Sequence, residues 1–362
     1  MPTEILSKDG ERRVEMNSKH IRLPAEWEKH QYTLLAFPYE GRDWPGKFHA
    51  VKWAFVEIIR KISNYEDILL LVKSPEHQQK VTMMLEQAHV DLSKVRFLIK
   101  DTNRGWMRDS GPVIVKNPDG SRKALNFGFN GWAKYSNYRK DISNPQFIAS
   151  ELKIPLEKVM HRGRQVVLEG GAIDSNGRGT LITTEECLLD PKVQVRNAGF
   201  TKSDYEEVFA SYLGISKVIW LGDGIQGDDT HGHVDDICRF VNDTTVLACR
   251  ENNTRDKNHK ILEANLERLS SETLQNGEKI NVVTIPMPGR LDFEDLRLPA
   301  SYVNFLIAGN SVLVPVFNDK NDYIALGIFS ELFPKKDVIG ISAIDLVWGL
   351  GTLHCLSREI PD

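Results

Sequence analysis

Six short apolar runs, each preceded by a stretch with helical spacing, limit this chain more than any other feature. Residues 52–63 carry apolar side chains at helical intervals and precede Asp67-Ile-Leu-Leu-Leu-Val72. The pairing recurs at 75–89 with Val95-Arg-Phe-Leu-Ile99, at 141–152 with Gln165-Val-Val-Leu168 and at 204–213 with Lys217-Val-Ile-Trp-Leu221. It recurs again at 258–271 with Ile280-Asn-Val-Val-Thr-Ile285 and at 322–333 with Asp337-Val-Ile-Gly-Ile341. Continuous apolar runs without alternation are the pattern of strands covered on both faces, and they place the chain in the α/β class.

Further strands lie between these pairs, at 112–115 with 124–127, at 180–183, at 246–249 and at 311–315. A mixture of hairpins and helix–strand units is not a doubly wound sheet. It suggests a radial or barrel-like array of five or six modules, each one supersecondary unit. With 41% hydrophobic and 27% charged residues in 362, the chain can bury a large core and is not disordered. No Pro/Ser/Gly-rich linker divides it. Residues 1–20 read as a polar N-terminal tail and 21–362 as a single domain.

The charge balance excludes some partners. Lys plus Arg number 46 against 50 Asp plus Glu, a net charge of −4. That argues against nucleic acid and mildly favours small or cationic ligands. No run approaches the ~20 apolar residues that span a bilayer, and no signal-peptide core is visible, so no membrane partner is expected and the cytoplasm is the expected location. Four cysteines in a chain this long are not a disulfide scaffold. Interface and surface apolar residues are not separable in sequence, which leaves a homo-oligomer open.

The densest polar clusters each follow an apolar strand, and a radial array would bring them to one end. Cys355 follows Gly349-Leu-Gly351, where permissive backbone can hold a thiol toward a ligand; a small buried hydrophobe is the alternative. Cys187, Cys238 and Cys249 sit in apolar, strand-like contexts and read as structural. In a strand, His233 and Asp235 would face the same side, an imidazole beside a carboxylate. His231 shares that parity, so a metal site with Asp228, Asp229 and Asp236 is a competing reading, as is a solvated acidic loop. Trp106 and Asp109 suit a planar cation, unless Arg108 pairs with Asp109. Glu169-Gly-Gly171 either fixes a cation or caps a turn. One thiol, one histidine and several carboxylates make a coherent set for a guanidinium substrate. Carboxylates grip its N–H fork, and the central carbon faces the sulfur.

At these residues the chain resembles the agmatine deiminase / bacterial peptidylarginine deiminase family, of the guanidino-group-modifying superfamily. The resemblance runs from about residue 23 to 361. It is carried by Leu23-Pro-Ala-Glu-Trp-Glu28, Asp43-Trp-Pro-Gly46, Trp106-Met-Arg-Asp-Ser-Gly-Pro112, Leu168-Glu-Gly-Gly171, Thr184-Glu-Glu-Cys-Leu-Leu189, Gly232-His-Val-Asp235, Ala300-Ser-Tyr-Val-Asn304 and His354-Cys355. It implies a five-bladed α/β propeller (pentein) with pseudo-fivefold symmetry and a central site. It also implies Cys355 as nucleophile, His233 as general acid/base, and Asp109 and Asp235 as guanidinium ligands. Trp106, Glu169 and Asp229 become substrate contacts, and no metal or cofactor is expected. The implied reaction is hydrolytic deimination through a covalent cysteine intermediate, with agmatine giving N-carbamoylputrescine and ammonia. Another guanidino compound, an amidino transfer or a non-catalytic guanidino-binding relative are the alternatives.

The chain also departs from the family pattern. Leu350 and Thr352 replace a glycine and an asparagine in the usual Gly-Gly-Gly-Asn-Ile-His-Cys run. Ala133-Lys134 replaces a glycine pair after Phe129-Asn-Gly-Trp132, and Asp236 replaces an asparagine. The chemistry residues are retained, while the pocket for the far end of the substrate is altered.

Overall fold

A computed structural model describes residues 21–362; the tail read in residues 1–20 lies outside the described residues. The chain opens with β1 (His30–Ala36), α1 (Phe48–Ile62), β2 (Ile68–Val72), α2 (Pro75–Gln87) and β3 (Val95–Ile99). All five residues of β2 are buried, as expected for a strand covered on both faces. Helix α1 buries Val51, Phe55, Val56, Ile58, Ile59 and Ile62 on one face. At the start of α2 the Ser74 hydroxyl accepts from the His77 amide, with Pro75 at the first helical position, a start signal legible in sequence.

Next come α3 (Met107–Ser110), β4 (Val113–Lys116), β5 (Arg122–Asn126), α4 (Asn144–Leu152) and β6 (Leu156–Lys158), then the ribbon β7 (Met160–His161) and β8 (Arg164–Gln165). The strand after α4 is therefore β6, and the expected strand over 165–168 is corrected. Beyond β8 that run holds the sheet only through the bridge Gly128↔Val167, because β6 already occupies the edge of β5.

The pattern continues with β9 (Asp174–Ser175), β10 (Thr180–Thr184), α5 (Glu185–Leu189), α6 (Lys202–Val208) and β11 (Lys217–Leu221). Thr201 and Asp204 form a reciprocal capping box at the start of α6. Then follow β12 (Cys238–Phe240), β13 (Thr245–Arg250), α7 (Lys257–Ser271), β14 (Asn281–Pro286) and the ribbon β15 (Asp292–Phe293) with β16 (Leu296–Arg297). The chain ends with β17 (Leu306–Ala308), β18 (Ser311–Val316), α8 (Asp322–Leu332), β19 (Asp337–Ser342), α9 (Leu353–Leu356) and β20 (Ser357–Pro361).

Apart from the two ribbons, the strands form five sheets: β4-β5-β6, β9-β10-β11, β12-β13-β14, β17-β18-β19 and β20-β1-β2-β3. Each has an antiparallel first pair and then a parallel neighbour reached through a helical crossover. In the last sheet the C-terminal β20 pairs antiparallel with the N-terminal β1. Several helices pack on two sheets. α7 touches its own β13 and β14 and the preceding β11; α8 touches β18, β19 and the preceding β14; α1 touches β19. No helix among the described residues is long and apolar enough to cross a membrane.

Candidate active site

Each of the five sheets contributes the turn that enters its first strand. Asp109 lies on α3 before β4, and Glu169 precedes the turn at Gly170–Ala172 before β9. His233 leads into the turn at Val234–Asp236 before β12; Asn304 lies before β17; Cys355 lies on α9 before β20. His233-Val-Asp235 is thus a turn and not the strand expected. The two side chains still converge because the tight turn, held by Asp228 Oδ2 accepting from the Gly232 and His233 amides at 2.8 and 2.9 Å, aims both inward.

Cys355 Sγ lies 3.7 Å from Asp235 Oδ2 and 3.1 Å from Asn304 Nδ2. His233 is fully buried, with Nδ1 3.9 Å from Asp109 Oδ1 and 4.0 Å from Asp235 Oδ1, and Nε2 3.9 Å from Glu169 Oε2. Neither ring nitrogen has a hydrogen-bond partner, and neither does Asp235 Oδ1. Unpaired buried polar atoms are costly, so their clustering marks a place built for a polar ligand. Asp109 is fixed by the Trp132 indole N–H at 2.9 Å and by the Gly171 amide at 3.0 Å. A side chain at Gly171 would come within 2.5 Å of His233 Nδ1, which explains the glycine.

A cavity of about 210 Å³ opens onto this cluster, lined by Cys355, Asp109, Trp106, Trp132, Tyr135 and Asp229 among others. Trp106 forms wall and donates its indole N–H to Asp43 at 3.1 Å. Glu169, His233 and Asp235 do not line the cavity, which reaches the cluster at Cys355 and Asp109; Glu169 stands behind His233, paired with the fully buried Arg196 at 3.1 Å. Asp229 is at the mouth, with its two oxygens on Lys134 Nζ and the Tyr135 hydroxyl, both at 2.6 Å.

Burial and the clustered carboxylates set the protonation states. Burial pushes the Cys355 thiol well above its usual range, and Asp235, Asp236 and Asp109 push the same way. Burial alone would lower His233, but Asp109, Cys187 and Glu169 hold it well above the usual imidazole range. Burial raises Asp109, and burial with Asp235 and Asp228 raises Asp236 further. Burial opposes ionisation of Asp235 and Glu169 too, yet His354 keeps Asp235 low, and Arg196 with His233 brings Glu169 to about 2. These surroundings favour a neutral thiol, and added positive charge beside it would favour the thiolate.

One sequence reading changes and two open alternatives close. Cys187 is on the short helix α5 and not on a strand, because the Thr184 hydroxyl caps that turn; it sits within 4.8 Å of His233 and Glu169 ligand atoms. His231 turns away from His233 to Asp190 at 2.9 Å and Glu186 at 3.5 Å, so a metal on the His231/His233 pair does not assemble. Arg108 pairs with Glu359 and Glu26, leaving Asp109 free for the cavity. All four cysteines are free thiols. Sequence reasoning quoted Asn304 without assigning it a role and did not single out Trp132 or Arg196. Asn304 could have been found as the fifth member of the repeated turn position.

The comparisons identify the family and the fold. The model of the Porphyromonas-type peptidyl-arginine deiminase family matches residues 22–361. A Selenomonas ruminantium protein with a provisional agmatine deiminase name is 33% identical, covering 94% of this chain and 95% of its own. The structure of C. jejuni agmatine deiminase with substrate bound, a Cys-to-Ser variant, is 29% identical with TM-score 0.84, covering 94% of this chain and 96% of that one. Agmatine deiminase of Enterococcus faecalis is 27% identical with TM-score 0.86, covering 96% and 97%.

Proposed function

Because the chain belongs to the Porphyromonas-type peptidyl-arginine deiminase family, we propose that it is a hydrolase that deiminates a small guanidino substrate, agmatine, to N-carbamoylputrescine and ammonia. The observation that carries this reading is a buried thiol, an imidazole and two carboxylates brought together: Cys355 Sγ beside Asp235, with Asp109 and His233 next to it. The relatives named as agmatine deiminases support the choice of substrate.

In the proposed reaction Asp109 and Asp235 hold the guanidinium nitrogens, and the bound positive charge lowers the Cys355 thiol so that its proton passes to solvent, which returns one to the thiolate after product leaves. The thiolate attacks the guanidinium carbon, forming a C–S bond. Protonated His233 gives its proton to the departing nitrogen, the C–N bond breaks and ammonia leaves. A thiouronium remains on sulfur. Neutral His233 then takes a proton from water, hydroxide adds to the carbon, and the C–S bond breaks to return the thiolate. The hydroxyl proton is lost as the urea carbonyl forms, and the released ammonia takes it up as ammonium. Two easier steps replace one difficult one. Glu169 and Arg196 orient His233, and Asn304 holds Sγ. Asp229 takes the far ammonium of the substrate. No metal or cofactor enters these steps.

We further infer that the five sheets are blades of a closed α/β propeller with pseudo-fivefold symmetry, residues 21–362 being one domain. The shared connection in every sheet and helices bridging successive sheets support this. The four free thiols fit a reducing cytoplasm.

One observation favours a second substrate, a guanidino compound with a neutral or anionic tail: Lys134 already occupies the Asp229 carboxylate. Ammonia release from agmatine, arginine, a peptidyl-arginine and a methylated arginine at equal concentration separates the two. Agmatine is expected to turn over at least tenfold faster than the rest. Cys355→Ala should abolish release while still binding agmatine, and Asp109→Asn and Asp235→Asn should each raise KM at least tenfold. Ammonia release by the Cys355 variant, or near-normal kinetics in both aspartate variants, sinks the mechanism. Preference for another tail replaces agmatine alone.

A further inference from the structure

The Leu23-Pro-Ala-Glu-Trp-Glu28 segment and His354 take no part in the steps above, yet they meet behind the site. His354 is buried and spans two carboxylates: Nδ1 lies 2.7 Å from Asp235 Oδ2, and Nε2 lies 2.8 Å from Glu26 Oε2. Glu26 is in turn held by Arg239 Nη2 at 2.6 Å and faces Arg108 Nη2 at 3.6 Å. The other oxygen of Asp235, Oδ1, is the buried atom without a partner. A separate cavity of about 30 Å³ touches His354 and Glu26 and shares no lining residue with the substrate pocket.

We propose that Glu26 and His354 form a positioning clamp that fixes the Asp235 carboxylate from behind, taking up Oδ2 so that Oδ1 stays directed at the substrate guanidinium. A carboxylate is free to rotate about its last bond, and in a pocket crowded with Asp109, Asp236 and His233 several orientations compete. The clamp selects one before substrate arrives, which is preorganisation of a binding group. The alternative role, a proton relay from Asp235 through His354 to Glu26, does not fit the charges. Burial opposes ionisation of Glu26, but Arg239, His354 and Arg108 hold it well below the usual carboxylate range, so it stays an acceptor. The clamp also explains why residue 26 and residue 354, at opposite ends of the chain, both belong to strongly patterned segments.

The inference rests on Asp235 as a guanidinium ligand, which the Asp235→Asn kinetics test independently. The clamp itself is tested with His354→Ala and Glu26→Gln in the full chain. Both variants should raise the KM for agmatine at least tenfold with kcat changed less than threefold. Imidazole at tens of millimolar should restore at least a third of the lost kcat/KM of His354→Ala by entering the rear cavity. Pyrrole has the same ring size but one N–H and no second hydrogen-bonding nitrogen, and it should restore none. Equal rescue by both rings means a packing role and overturns the clamp. So does rescue by neither, or a near-normal KM in either folded variant. If His354→Ala does not fold, Glu26→Gln decides by its KM alone. Impaired Asp235→Asn with unimpaired clamp variants overturns only the clamp; unimpaired Asp235→Asn overturns the ligand assignment beneath it.

Discussion

Asp236 illustrates how one residue can change identity and keep its role. It stands where the family pattern has asparagine, is 2% exposed, and its Oδ1 accepts from Asn304 Nδ2 at 3.1 Å. Burial and the neighbouring Asp235 and Asp228 hold its carboxyl well above the usual range, which favours the neutral form, nearly isosteric with an amide. The sign of the pH effect follows. The folded state retains this proton after the unfolded chain has lost it at about pH 4, so the group's contribution to stability falls as pH rises from there toward the folded pKa. Asp236→Asn is expected to leave kcat/KM within about threefold at pH 7, and the Tm of the variant should gain on the parent as pH rises from 5 to 9. A Tm difference that stays constant over that range would show that Asp236 is already ionised in the folded protein. Asp236, Cys355, His233, Asp109 and Asp235 were all named in sequence as chemistry-bearing types in polar clusters, and the resemblance, not the local spacing, suggested roles for the last four. Trp132, Arg196 and Cys187 were not. Their roles depend on contacts such as Trp132 to Asp109 and Arg196 to Glu169, set by packing across sheets.

Among the elements, the loop at residues 129–135 governs both ends of the pocket. Gly131, Trp132 and Ala133 take left-handed backbone angles, φ 66°, 57° and 53°. A glycine at 133, the family pattern, would adopt that conformation freely; alanine is strained there, by about 1 kcal/mol. The loop turns Trp132 down to Asp109 and sends Lys134 and Tyr135 to Asp229. Lys134 thus competes with any substrate ammonium for Asp229. The pair is half exposed, where such interactions contribute up to about 1 kcal/mol. Lys134→Met should accordingly lower the KM for agmatine about threefold, less at high salt, and leave n-butylguanidine unchanged. A similar change for both substrates would show that Asp229 does not read the tail. Elements of this size defeat sequence reading for a physical reason. Periodicity needs several residues to register, so α2 and α7 were legible while the one-turn α3 and α9, the two-residue β9 and the strand β6 were not. Those short turns carry the site.

At the scale of the whole molecule, the strand that joins the two ends of the chain directly follows the proposed nucleophile. Cys355 sits one residue before Leu356, and β20 follows at once to pair with β1, Leu35 opposite Ser357 and His30 opposite Pro361. The repeated helix–strand unit made the α/β class legible; that the last sheet joins the two ends of the chain was not, since nothing local in 357–361 names β1 as its partner. If closure is achieved by packing alone, chain order is dispensable. The described ends are neighbours: Arg122 Nη1 donates to the Pro361 carbonyl at 2.6 Å, Arg122 pairs with Lys116, and Lys116 bridges to Arg22. Joining Asp362 to Met1 leaves residues 1–20 as the connection, enough for a span of up to about 70 Å at full extension. Gly277 and Gly120 are turn glycines with open space around them, and either suits new termini. Permutants opened before Gly277 or before Gly120 are expected to unfold cooperatively, with Tm within about 10 °C of the parent and kcat within threefold. Circular dichroism and ammonia release measure both. Two folded but inactive permutants would mean that Cys355 needs a chain end close by, and two unfolded ones would mean that the five sheets are held together by chain order and not by their packing.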